Sequence, residues 1–99
     1  MGIRRDSREW ALQIMFQQDL NPGHLDRALA AFWEDHEASP AARAFTERLV
    51  KGALEHRDEI DGLITRYAEH WALKRMSVVD RNVMRICIYE MLHCDDIPP

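Results

Sequence analysis

Ninety-nine residues make one domain with a single modest core, and 46% hydrophobic with 30% charged residues describe a folded chain, not a disordered one. No apolar run approaches the roughly 18 residues of a membrane span. The net charge of −4 makes the body a poor general nucleic-acid binder, because phosphate neutralisation needs local positive charge.

That charge is unevenly spread. Arg4, Arg5 and Arg8 against Asp6 give +2 up to residue 8, which leaves −6 for the remainder. A basic arm on an acidic body can hold RNA where a partner or a small patch supplies the rest. MGIRRDSRE is charged from Arg4 with no apolar core behind it, so it does not read as a secretory signal. Gly2 is not followed by a myristoylation pattern, because Asp6 stands where Ser or Thr is wanted. A cytoplasmic location is the expectation.

No segment alternates with a period of two, and the chain reads as all-α, an antiparallel bundle of about five helices in one domain over residues 1–99. The first helix is expected from about Ser7 to Leu20, with Trp10, Ala11, Ile14, Met15 and Phe16 as its apolar stripe. Asn21-Pro22-Gly23 stops it. The second, roughly Leu25 to Glu34, uses Leu25, Leu29, Phe32 and Trp33. Ser39 suits the N-cap of the third and Pro40 its first turn, with Ala42, Phe45, Leu49, Val50 and Ala53 facing the core. Gly52 inside that helix costs about 1 kcal/mol against alanine. Close helix–helix approach or a bend before the next helix accounts for it.

In the fourth helix Ile60, Leu63, Ile64, Tyr67 and Trp71 share one face. Ala72 to Met76 reads as a basic loop with Lys74 and Arg75. Ser77 then caps the fifth helix, with Asp80 in the capping-box position. From Val78 to Leu92 only Asp80, Arg81, Asn82, Arg85 and Glu90 interrupt an apolar run. A helix so apolar nearly all round belongs at the centre of a bundle. Its Arg81 and Arg85 read as a polar strip with an intrahelical partner in Asp80, or as charge confined to the exposed helix start or an interface.

Nothing reads as catalytic. Ser7 and Ser77 lack His and Asp at catalytic spacing, no glycine-rich loop cradles a phosphate, and Glu34/Asp35 and Asp95/Asp96 read as solvated loop charge. No cofactor or metal motif is present, since the five histidines are scattered without a Cys-x-x-Cys or His-x-x-x-His pair. Cys87, among Ile86, Ile88 and Met91, reads as a small buried hydrophobe. Seven residues from Cys94 on one helix, it lies about 10 Å away along the axis, too far for a disulfide. The arginine segment reads either as a frayed terminus or as a phosphate clamp, with Trp10 or Phe16 as a stacking surface for an unpaired base. Core packing suits Trp10 better.

At this point RRDSREWALQIMFQQDL resembles the opening helix of the NusB family of bacterial transcription antitermination factors. The resemblance continues through Ile60-Asp61, Leu63-Ile64, Tyr67, Trp71, Leu73, Arg75, Val79-Asp80-Arg81, Arg85, Tyr89-Glu90 and Asp96-Ile97-Pro98. Residues 21–44 match little beyond length. The resemblance implies a helical bundle that binds a boxA-type single-stranded RNA, pairs with the ribosomal protein NusE, and joins the RNA polymerase elongation complex during ribosomal RNA transcription. It implies RNA contact through Arg4, Arg5 and Arg8, through the first-helix aromatic Phe16, and through Asp80 with its neighbour Arg81 at the start of the fifth helix.

The family continues past the Ile-Pro segment with two more helices, the first carrying an Asn-Glu-Ala motif, and this sequence has neither. The outer face of the fifth helix is therefore expected to be bare. A longer chain, a truncation or a second copy of the chain would each account for it, and an uncovered apolar patch normally finds a partner. Two other readings stand beside the antitermination factor. One is a NusB-like domain of a ribosomal RNA cytosine methyltransferase, and the other is a homodimeric storage form.

Overall fold

The computed structural model describes residues 2–67 and 75–94. They form α1 (Ile3–Leu20), α2 (Leu25–Asp35), α3 (Pro40–Glu55), α4 (Arg57–Tyr67) and α5 (Val78–His93), and no strand occurs among the described residues. The architecture is the all-α bundle expected. Trp71 and most of the basic loop at residues 72–76 lie outside the described residues.

The first helix starts at Ile3 and not at Ser7. RRDSRE is therefore helix and not a free arm. Ser7 is fully buried, and its hydroxyl donates to the Ala42 carbonyl at 3.1 Å, tying the start of α1 to the start of α3. Asp6 in the first turn favours the positive helix end. Ser39 caps α3 by accepting the Ala42 N–H at 3.2 Å, and Pro40 occupies the first turn as the sequence predicts.

The close-approach account of Gly52 holds. A β-carbon there would overlap the Tyr89 ring of α5, so glycine is what lets α3 and α5 approach. Four residues on, the chain bends. The His56 N–H closes α3 onto the Gly52 carbonyl at 3.0 Å, while the His56 carbonyl accepts the Ile60 N–H at 2.9 Å and opens α4.

The core is built from Ala11, Ile14 and Met15 of α1, Leu29 of α2, Leu49, Val50 and Ala53 of α3, Ile60 and Ile64 of α4, and Ile86 and Tyr89 of α5. Each large member contributes about 1.5–3 kcal/mol by leaving water. Trp10 is half-buried and meets Trp33 edge to face at 5.8 Å, so it packs α1 on α2 as expected. Tyr67 corrects the expected α4 face: it is 71% exposed, and Ile60 and Ile64 carry the buried seam with Leu63 half-buried.

The fifth helix departs further from its pattern. Its inward face holds Asn82, Arg85, Ile86 and Tyr89, whereas Val79, Val83, Cys87 and Met91, spaced every fourth residue, face out with Leu92. Cys87 is therefore an exposed thiol on that stripe and not a buried hydrophobe, while Cys94 is the buried one. Arg85 does not pair with Asp80 within its helix. Its Nε and Nη2 donate to the two Asp61 carboxylate oxygens of α4 at 2.8 Å each, and its Nη1 donates to Asn82 Oδ1 at 3.2 Å. Asn82 in turn donates to Asp19 of α1 at 2.8 Å. One polar chain thus joins α1, α5 and α4 across a layer that is otherwise apolar.

Candidate nucleic-acid interface

Arg5, Glu9, Leu12 and Phe16 follow the i, i+4, i+7, i+11 spacing of one face of α1. Arg5 and Phe16 on that face are separated by about 16 Å along the helix axis. Its far end borders an open groove of about 390 Å³ lined by Glu9, Leu12, Gln13, Phe16 and Val79. Phe16 is half-buried and lines that groove. Such a face offers cationic charge at one end and an aromatic plane at the other, the two components that hold an unpaired strand.

The fold brings Phe16 together with the start of α5. Val79 lines the groove, and Asp80 follows it, exposed, its N–H donating to the Ser77 hydroxyl at 3.0 Å. Ser77 thus caps α5 as predicted, and the exposed Asp80 carboxylate sits at the positive end of the helix. Arg81 is half-buried, and its Nε is buried without a hydrogen-bond partner.

The three arginines take different roles. Arg4 and Arg5 are exposed on the first turn of α1, and Arg5 makes only a loose, solvent-facing pair with Glu9 at 3.7 Å. Among the described residues Arg4 has no ion pair. Arg8 is committed inside the fold: its Nε and Nη2 fork onto the two oxygens of Glu90 at 2.7 and 2.8 Å. Hydrogen bonding to Glu90 raises its pKa above the usual arginine value, against the opposing effect of burial. Glu90 had shown in the sequence as an interruption of an apolar run and as one of the family-like positions, with no role attached. It is the residue that ties α1 to α5, and nothing in the local pattern marks it as the partner of a residue 82 positions away. Gln13 and Val79 of the groove were also missed, because their meeting depends on how α1 crosses α5.

These features fit what the chain resembles among known proteins. Residues 5–99 match the NusB family. The transcription antitermination protein NusB of Trichlorobacter lovleyi is 45% identical over 98 residues, 99% of this chain and 69% of that protein. The protein of the same name from Syntrophus aciditrophicus is 38% identical over 99 residues, covering 62% of its own length. The chain therefore spans about two thirds of the length of such relatives. Among solved structures, T. maritima NusB superposes with a TM-score of 0.81 at 36% identity, covering 99% of this chain and 68% of that one. A chain in a crystal structure described as a plectonemic RNA supercoil gives a TM-score of 0.85 at 24% identity, a likeness of fold alone. The match over nearly the whole sequence and the shared helical bundle have one consequence: the chain belongs to the NusB family.

Proposed function

We propose that this chain is a non-catalytic, cytoplasmic RNA-binding factor in transcription antitermination. It takes a boxA-type single-stranded RNA along α1, pairs with NusE, and acts in the RNA polymerase elongation complex during ribosomal RNA transcription. The observation that carries the reading is family membership, since the relatives it matches over nearly its whole length are named as antitermination proteins. The α1 face supports it independently, with exposed Arg4 and Arg5 at one end and Phe16 over a groove at the other. Within the candidate set, Arg4 and Arg5 take phosphates, Phe16 stacks a base, Asp80 and Arg81 border the RNA where α5 begins, and Arg8 orients α1 through Glu90.

The test is fluorescence anisotropy of a short boxA-like RNA, with and without NusE, at two salt concentrations. Binding is expected to tighten with NusE and to weaken with salt. Replacing Arg4 and Arg5 together with alanine is expected to flatten the slope of log K against log salt by about 1.4, from roughly 0.7 per phosphate contact on a single strand. Phe16→Ala is expected to cost about 1–3 kcal/mol, the worth of one stacked base. Salt-independent binding, or an unchanged slope in the double arginine variant, would overturn this assignment. The exposed stripe Val79, Val83, Cys87 and Met91 favours one alternative, a self-associated form, which light scattering at high concentration tests directly.

A further inference from the structure

Away from the α1 face, the bend between α3 and α4 meets the end of α5. His56 is fixed at that bend, its backbone shared between the last turn of one helix and the first of the next. His93 is the last residue of α5. The two residues are far apart in sequence, yet their imidazoles stack at 4.0 Å between centroids with 19° between planes. Tyr89, one turn before His93, backs both rings at 5.9 and 5.4 Å. Tyr89 is itself buried against Gly52, so this wall is part of the core packing and not a surface accident.

Glu59, in the first turn of α4, aims its carboxylate at both rings. One oxygen, Oε1, lies 3.5 Å from His56 Nδ1 and 3.1 Å from His93 Nε2. The ligand atoms of the three residues all lie within 4.8 Å of one another. Donors around a tetrahedral zinc ion, bound at about 2.0–2.1 Å, stand roughly 3.3 Å apart. The two nitrogen–oxygen separations at Glu59 Oε1 straddle that value. Two imidazoles are borderline donors that suit zinc, cobalt, nickel or copper, and a single carboxylate beside them is too few oxygen ligands for calcium or magnesium. The imidazole side chains are about a third exposed and Glu59 is 54% exposed, which leaves an outward position for water.

We propose that His56, Glu59 and His93 form a site for a divalent transition-metal ion of the zinc class, bound by three protein ligands and solvent. Such an ion links three helices at one point, the end of α3, the start of α4 and the end of α5. Arg48 belongs to the surroundings and not to the ligand set, because it donates to the His93 backbone carbonyl at 3.4 Å.

The site is tested by titrating the 99-residue chain with zinc chloride by calorimetry and with cobalt chloride by visible absorption. One ion per chain is expected, with the d–d bands of low-coordinate cobalt. Saturating zinc at about a hundred times Kd is expected to raise Tm by roughly ten degrees. His93→Gln and Glu59→Gln keep the shape of each side chain, and each is expected to weaken zinc binding at least tenfold. Circular dichroism of the metal-free variants confirms that they fold. The absence of stoichiometric binding up to millimolar zinc overturns the proposal and leaves a hydrogen-bonded cluster. Binding that survives both substitutions unchanged also overturns it, and places the ion on other donors such as the exposed Cys87 thiol.

Discussion

Replacing Asp61 with alanine removes one end of the chain of polar contacts that runs through the apolar interior. In the native fold the Arg85 guanidinium forks onto both Asp61 oxygens at 2.8 Å, with the Arg85 side chain 9% exposed and that of Asp61 24% exposed. Truncation leaves a desolvated cation with a single bond, to Asn82 Oδ1 at 3.2 Å. Breaking a buried pair in this way costs about 3–5 kcal/mol. The partial exposure of Asp61 lets water reach the stranded guanidinium and reduces the figure to about 2–4 kcal/mol. Against a total of about 5–15 kcal/mol for a domain of this size, that is a large share, and Tm is expected to fall by roughly 10–20 °C. Hydrogen bonding to Asp61 raises the Arg85 pKa above the ordinary arginine value, so the contribution of the arginine is complete below the unfolded-state value and is lost only as pH rises through the raised folded value. Alkaline titration short of that point therefore leaves this half of the pair intact. The assay is urea unfolding, read as a shift in midpoint at constant slope. Replacing both partners, Asp61→Leu with Arg85→Met, is expected to recover much of the loss, since no buried charge is then stranded. A cost below about 1 kcal/mol for Asp61→Ala, or no recovery in the double variant, would refute the reasoning.

Three further outcomes follow from single contacts. Gly52→Ala gains helix propensity of about 1 kcal/mol but drives a methyl group into the buried Tyr89 ring, and a net loss of about 1–2 kcal/mol is expected in thermal unfolding. Arg8→Ala and Glu90→Gln are expected to show a coupling energy of about 1 kcal/mol in a double-mutant cycle, whereas Arg4→Ala leaves stability unchanged, which separates the structural arginine from the exposed one. Cys87 faces outward, yet burial of its sulfur pushes the thiol pKa up, Glu90 adds to the effect, and Arg8 opposes it. The neutral thiol is thus favoured in the fold, a contribution complete below the unfolded value of 9.0 and lost as pH rises through the raised folded value. Alkylation by iodoacetamide at about pH 8 is expected to run slower than for an unfolded peptide thiol, and an equal or faster rate would contradict it.

The helices were legible because their stops are local chemistry. Asn21-Pro22-Gly23, Ser39-Pro40 and Ser77 each act within one turn, and all three boundaries fall where those residues place them. The start of α1 was not, because what extends it to Ile3 is tertiary: Ser7 is buried by donating to a carbonyl 35 residues away. Tyr67 and Cys87 went astray for a related reason. Periodicity says which residues share a face, but only packing decides which face is covered.

The fifth helix shows why that distinction matters for function. Its apolar residues suggested a core helix, yet its inward seam is anchored by Asn82 and Arg85 while Val79, Val83, Cys87 and Met91 look outward. Buried polar groups fix an arrangement more strictly than apolar ones, because a shift of one turn strands them without partners. Asp19–Asn82 and Arg85–Asp61 therefore set the register of α5 against both α1 and α4, and Arg8–Glu90 sets it again at the other end. That register places Val79 on the same groove as Phe16. The groove at Phe16 is thus held by charges well away from it, and, if the proposed RNA interface is right, weakening Asp61 or Glu90 is expected to loosen RNA binding without replacing Arg4, Arg5 or Phe16. Measuring RNA affinity for Asp61→Asn and Glu90→Gln under conditions where both remain folded separates the two possibilities. Affinity that falls with either variant ties the groove to the polar network. Affinity equal to that of the parent chain places the groove under control of α1 packing on α3 alone.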